Sequence, residues 1–295
     1  MTIKSAALAT KSGWVKPLRD AKPHRKNVVT FGSGSRSSQL DGPSLYALLR
    51  CPYCRSGLKS SAMTQVYRED YGILTCSCFE YPVVAGIPVI KRGVIGSLGE
   101  PAAKVIDLIR AGKHDEALLT MCRPPAATLR QGADRRRLLP NVLGVRRLER
   151  RSFDRAVKRW DESALAILAN EPNVKAVELL DLYFNGNQNF NDNQKNAYDY
   201  FRYRWGQPRH LVALSLASII PKSTGPVLDL GCGFGHVTRG IYNQTNRSVI
   251  GVDNVFFLLL TARRKIASRA SYVCCDANME LPFPSDSFLA AISTN

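Results

Sequence analysis

The stretch Val227-Leu-Asp-Leu-Gly-Cys-Gly-Phe-Gly235 decides how the C-terminal third of this 295-residue chain is read. A mainly apolar run enters glycines at 231, 233 and 235, and an amphipathic pattern over 236–244 follows. That order predicts a buried strand, a tight loop and a helix. Glycine lets a backbone come close to a ligand, and a helix N-terminus presents N–H groups without intrahelical partners.

The same texture extends on both sides. An amphipathic helix is expected over 208–220, a strand over 248–253, a helix over 256–266, and strands over 272–275 and 288–293. Strands alternating with helices at this spacing predict a parallel, doubly wound α/β sheet. Asp253 closes the second strand, 22 residues beyond Gly231. An acid there can accept hydrogen bonds from ribose hydroxyls. Asp276 closes the third strand, where an adenine amino group could lie. Asp229, ahead of the first glycine, can balance the positive end of an amino acid, directly or through water. A nicotinamide-dinucleotide fold would require glycine where His236 stands.

On these motifs, the stretch from Tyr198 to the end resembles the class I S-adenosyl-L-methionine-dependent methyltransferases, in the group that includes the ubiquinone/menaquinone-type enzymes. Val227–Gly235 is similar to that family's first motif and Gly251-Val-Asp253 to its second. Asp276-Ala-Asn-Met-Glu-Leu-Pro-Phe-Pro-Ser-Asp-Ser-Phe288 is similar to the third strand end and the turn into the fourth strand. The resemblance implies a Rossmann-like methyltransferase sheet. It implies that Gly231, Gly233 and Gly235 line the methionine and ribose, that Asp253 holds the ribose, and that Asp276 holds the adenine. Two departures stand out. Leu289 replaces the Asp usual after the fourth-strand Phe, and the sequence ends at Asn295, where the family's seven-stranded sheet would continue. The expectation is a C-terminally incomplete domain, a poor catalyst by itself, with the apolar face that the later strands would cover left open.

A second constellation is Cys51-Pro-Tyr-Cys54 with Cys76-Ser-Cys78. Four thiolates from two loops suit tetrahedral zinc with bonds of ~2.3 Å. A unit of about forty residues buries too little surface to be stable alone, and structural zinc supplies ~10–16 kcal/mol in finger peptides. Four reduced cysteines in a small β unit, or thiol redox chemistry at the first pair, are the other readings. Strands are expected over 72–75, 81–84 and 87–91, after a short helix over 44–50. The run Tyr81-Pro-Val-Val-Ala-Gly-Ile-Pro-Val89 resembles the corresponding segment of small zinc-ribbon proteins that partner or precede methyltransferases. Cys232, Cys274 and Cys275 read as packing residues, and no histidine is assigned a role.

The net charge of +17 lies wholly in residues 1–160, which carry 29 Lys and Arg against 12 Asp and Glu. That asymmetry admits nucleic acid as a partner of the basic N-terminal half, although a solvated tail and basic helix faces explain it equally well. The acid-poor leader 1–43 reads as disordered, with an organelle-targeting peptide as the alternative. Residues 101–197 read as a helical connecting block, the ribbon-like module as 44–95 and the methyltransferase domain as 198–295. Tyr200-Phe-Arg-Tyr-Arg-Trp205 reads as a lid over the donor pocket, or as an aromatic-basic surface for nucleic-acid bases.

No apolar run reaches the ~18–20 residues of a membrane span, and no secretory signal is present. The expectation is therefore a soluble, cytoplasmic protein. The implied reaction is methyl transfer to a small-molecule acceptor of quinone, lipid or natural-product type. RNA methylation is a second reading, and a noncatalytic adapter with a vestigial domain is a third. No residue presents itself as the catalytic base.

Overall fold

The computed structural model describes residues 45–126, 129, 143–169, 173–184, 201, 207–220 and 225–293. The basic leader and most of the aromatic-basic segment 200–205 lie outside these residues.

The N-terminal module opens with a single helical turn, Leu45–Leu48. An antiparallel sheet follows, made of β1 (Lys59–Val66), β2 (Glu69–Thr75), β3 (Glu80–Val84) and β4 (Ile87–Pro88), in that spatial order. The Tyr81–Val84 and Ile87 runs form strands as their β-branched and aromatic content predicts. The sequence reading missed β1, and its composition explains why. The strand is Lys-Ser-Ser-Ala-Met-Thr-Gln-Val, lies at the sheet edge and is exposed along nearly its whole length. It buries no apolar face and so carries no alternation to read.

The helical block includes Ala102–Arg110, His114–Cys122, the long helix Leu143–Ala169 and Ala176–Phe184. Gly112, at φ +70°, makes the break between the first two. Arg123 ties the block together. Its guanidinium grips both carboxylate oxygens of Asp161 at 2.9 and 2.7 Å and reaches Glu100 at 3.0 Å. Trp160 donates its buried Nε1–H to the Leu182 carbonyl at 3.0 Å. The Tyr183 ring stacks on Phe257 with centroids 4.2 Å apart, joining the block to the C-terminal sheet.

That sheet is parallel and contains β5 (Val227–Leu230), β6 (Val249–Asp253), β7 (Ser271–Cys274) and β8 (Ala290–Ser293), in the order β7-β6-β5-β8. The helix Pro208–Ser218 precedes it, and His236–Thr245 joins β5 to β6. The connection from β6 to β7 starts as the α-helix Phe256–Thr261 and widens into a π-helical turn, Ala262–Ile266. Strand order reverses between β5 and β8. Ligands of open α/β sheets bind outside the carboxyl ends of the strands at such a switch point.

Alternate strand residues face opposite sides. Val227, Val249 and Tyr272 join the cluster formed with the helices. Leu228, Ile250, Val252 and Val273 belong to a second cluster with Leu49, Leu74, Tyr81, Val83 and Ile90 of the N-terminal module. These four sheet residues are at most 3% exposed. A parallel sheet must bury both faces, and here the N-terminal module covers the second one. The contact is also hydrogen-bonded. Val89 pairs in parallel with Cys274 at the end of β7, and Ile90 N–H donates to the Cys274 carbonyl at 2.8 Å.

Candidate functional site

The glycine loop leaves β5 and is anchored to β6. Gly231 and Cys232 donate their N–H groups to the Val252 carbonyl at 2.8 and 3.0 Å. Asp253 then fixes the loop with its side chain. One carboxylate oxygen accepts from Gly233 N–H at 2.9 Å, and the other accepts from Val255 N–H at 2.9 Å. Asp253 is only half-buried, so further lone pairs stay available to a ligand.

Gly231, Gly233 and Gly235 all have left-handed backbones, with φ of 73°, 52° and 74°. Their surroundings differ. A Cβ on Gly235 would lie 3.0 Å from both Ala262 Cβ and Tyr272 Oη, so this glycine allows the loop to pack on the helix behind it. Among the described residues, a Cβ on Gly233 would meet nothing within 4 Å. That space lies beside the Asp253 carboxylate, which accepts from Gly233 N–H.

Asp229 is buried within β5 and accepts a hydrogen bond from the Thr238 hydroxyl, in the first turn of the following helix. It therefore also orients that helix start beneath the loop. Burial holds the Cys232 thiol well above its ordinary pKa, and the charges of Asp229 and Asp253 raise it further. Cys232 is accordingly a neutral packing group. Phe201 lies edge-on to Phe234 and His236 of the loop, with centroids 5.2 and 5.3 Å apart.

Asp276 follows β7, and its Oδ1 accepts from the Asn278 backbone and side-chain nitrogens at 2.9 and 3.0 Å. Beside it opens a cavity of about 410 Å³, lined from the C-terminal sheet by Asn254, Asp276 and Met279. That volume is within the range of small-ligand sites. The opposite wall comes from the N-terminal module as Tyr53, Lys91 and Arg92. Lys91 Nζ donates to the Asn254 carbonyl at 3.2 Å. These module residues were not legible as site residues, because no motif or periodicity links them to strand tips more than 150 positions away.

Cys51, Cys54, Cys76 and Cys78 converge so that their sulfurs all lie within 4.8 Å of one another. Cys78 Sγ is 3.5 Å from Cys51 Sγ and 3.3 Å from Cys76 Sγ. Four sulfurs around one tetrahedral zinc have a comparable spacing, so the donor set fits that metal. Hydrogen bonds from the Ser56 hydroxyl and backbone pull the Cys54 thiol down to about 6. Burial opposes ionisation of Cys51, but hydrogen bonds from the Cys54 backbone and the Tyr81 hydroxyl outweigh it and lower its pKa. Cys78 is pushed up, first by burial and then by hydrogen bonds with the neighbouring thiols. The cluster thus favours thiolates at some positions and retains protons at others, and a cation would displace those protons.

Residues 227–295 match the family described as a methyltransferase domain. No curated protein matches the chain. Among solved structures, DesVI of Streptomyces venezuelae is 19% identical, with 36% of this chain covering 44% of that one at a TM-score of 0.29. CalS10, an amino pentose methyltransferase from Micromonospora echinaspora with bound S-adenosylmethionine, is 20% identical, with 36% and 43% coverage and a TM-score of 0.27. The plantazolicin methyltransferase BpumL is 18% identical, with 46% and 50% coverage and a TM-score of 0.29. The chain spans about half the length of these structures. Among the described residues, no helix is long and apolar enough to cross a membrane.

Proposed function

We propose that the C-terminal sheet binds S-adenosyl-L-methionine and serves methyl transfer to a small-molecule acceptor of quinone, lipid or natural-product type. The observation that carries this reading is the Asp253 carboxylate clamped to Gly233 N–H beside open space. It is supported by Asp276 at the neighbouring strand tip and by the family match over 227–295. The bound donor would supply an electrophilic methyl group on a sulfonium. Gly231 and Gly233 would let the backbone approach its amino-acid end, Asp253 would accept from ribose hydroxyls, and Asp276 would accept from the purine amino group. Asp229 would contribute negative potential below the loop, through its bond to Thr238. The protein's share of such a reaction is alignment of acceptor and methyl.

For Cys51, Cys54, Cys76 and Cys78 we infer a structural zinc site, supported by the sulfur spacing and the lowered thiols.

Calorimetric titration of the 295-residue chain with S-adenosylhomocysteine tests the donor reading. Binding is expected, with Asp253→Ala about tenfold weaker or worse, the equivalent of about 1.4 kcal/mol. Absence of binding, or preference for a nicotinamide nucleotide, would overturn it.

A further inference from the structure

We propose that the four-cysteine module is itself part of the donor site: its metal-held knuckles wall the cavity at the strand tips and clamp the loop 276–283, so that metal occupancy sets donor affinity. This rests on the donor reading above and goes beyond it, because it assigns a ligand-binding role to residues outside the methyltransferase match.

The clamp starts at the first knuckle, whose flanking residues both grip the loop that follows β7. Arg50 N–H donates to the Pro282 carbonyl at 2.9 Å. Arg55 donates from one guanidinium nitrogen to the Leu281 carbonyl at 3.0 Å and from another to the Phe283 carbonyl at 2.8 Å. Its ion pair with the exposed Glu280, at 3.1 Å, adds little. Charged donors on backbone carbonyls are the stronger contribution. Residues 275–289 contain no regular helix or strand, so these bonds position the segment that carries Asp276 and Met279.

The wall depends on both knuckles together. Tyr53 stands between the first two cysteines and Phe79 directly follows the last one, and their rings lie 5.2 Å apart. The Arg92 guanidinium packs over Phe79 at 4.3 Å and faces Tyr53 at 5.3 Å. Arg92 thus packs its guanidinium on one ring from each cysteine pair. Lys91, the next wall residue, is tied to the tip of β6 through Asn254. The pairs already meet through Cys51 and Cys78, whose sulfurs are 3.5 Å apart, and through the Tyr53–Phe79 ring contact; a cation bound by four thiolates would add the strongest link between them. Its removal would loosen Tyr53 and Arg92 and weaken the first knuckle that carries the loop grip.

Calorimetry with S-adenosylhomocysteine tests this, with metal quantified in every sample and the melting transition recorded alongside. The zinc-loaded wild-type chain is compared with chelator-stripped protein kept reduced, with Arg55→Ala and Arg92→Ala, and with Arg110→Ala as a surface control. Stripping is expected to weaken binding about tenfold, and Arg55→Ala and Arg92→Ala about three- to tenfold with zinc retained, which corresponds to about 0.7–1.4 kcal/mol. Arg110→Ala should leave affinity unchanged. If stripping unfolds the chain, the two zinc-retaining variants decide the matter. Wild-type affinity in both variants overturns the proposal and leaves the donor reading intact. No binding by the zinc-loaded wild type overturns both.

Discussion

Arg264 and Glu69, 195 positions apart in sequence, form a two-pronged ion pair with Nε to Oε1 at 2.9 Å and Nη2 to Oε2 at 2.7 Å. Glu69 begins β2 of the N-terminal module, and Arg264 lies in the π-helical turn behind the parallel sheet. Their side chains are 14% and 8% exposed. The pair therefore joins the two halves of the structure through a largely buried contact, and Arg264 Nη1 is buried there without a hydrogen-bond partner among the described residues.

Removing one member of such a pair strands the other charge. Glu69→Ala should destabilise the chain by about 3–5 kcal/mol. Replacing both by methionine should cost much less, because no uncompensated charge is left. Urea unfolding with an unchanged m-value would read this. A Glu69→Ala loss below about 1 kcal/mol, the range of an exposed pair, would show that the interface is wetter than described.

Gly233 and Gly235 should respond differently to alanine. Both need a left-handed backbone, which costs an L residue roughly 1–2 kcal/mol. Gly235→Ala adds overlap with Ala262 and Tyr272, both fully buried, and should cost about 1–3 kcal/mol more. Gly233→Ala should keep most of the stability yet weaken S-adenosylhomocysteine binding about tenfold or more, since its methyl enters the open space. Melting and calorimetry on the two variants would separate these effects. Equal stability with equal affinity would contradict the assignment of separate packing and ligand roles.

Thiol chemistry should follow the pKa shifts. Cys54 is lowered to about 6, so in metal-free protein it is mostly thiolate at pH 7.5. Burial raises Cys122, Cys274 and Cys275 to about 12, so they stay protonated at that pH. A disulfide reagent at pH 7.5 should modify the metal-free cluster quickly and leave those three untouched until unfolding. Zinc should protect the cluster, and protection should fade as the pH falls towards about 6, where protons begin to compete at Cys54. Fast labelling of Cys274 in the folded chain would rule this order out.

The covered sheet face predicts cooperativity. Leu228→Ala and Val83→Ala each empty space in one cluster; the first should cost about 2–5 kcal/mol and the second, a smaller deletion, less. Calorimetric unfolding should show the module and the parallel sheet melting in one transition, and either variant should shift it as a whole. Two separate transitions would mean that the clusters are not continuous.

Much of this was legible in the residues themselves. The strand, glycine loop and helix from Val227 to Thr245 follow from apolar runs, glycines and helical periodicity, which are local signals. The convergence of Cys51, Cys54, Cys76 and Cys78 followed from spacing, because thiolates in short paired motifs have few other uses. Asp253 and Asp276 could be placed at strand tips because strand ends are visible in sequence. That Asp253 also holds Gly233 was not visible.

Local pattern thus determined most of the elements other than β1, the glycine loop and the four-cysteine cluster, since each depends on neighbours within a few residues. The tertiary structure alone decided that the cysteine module covers the second face of the parallel sheet. It also decided that Arg55, Lys91 and Arg92 meet the strand tips and that Arg264 finds Glu69. The reason is physical. Burial of both sheet faces is a requirement on the whole chain, and many apolar segments could meet it. Which one does is set by shape and hydrogen-bond complementarity between surfaces, and these leave no periodic trace in either segment.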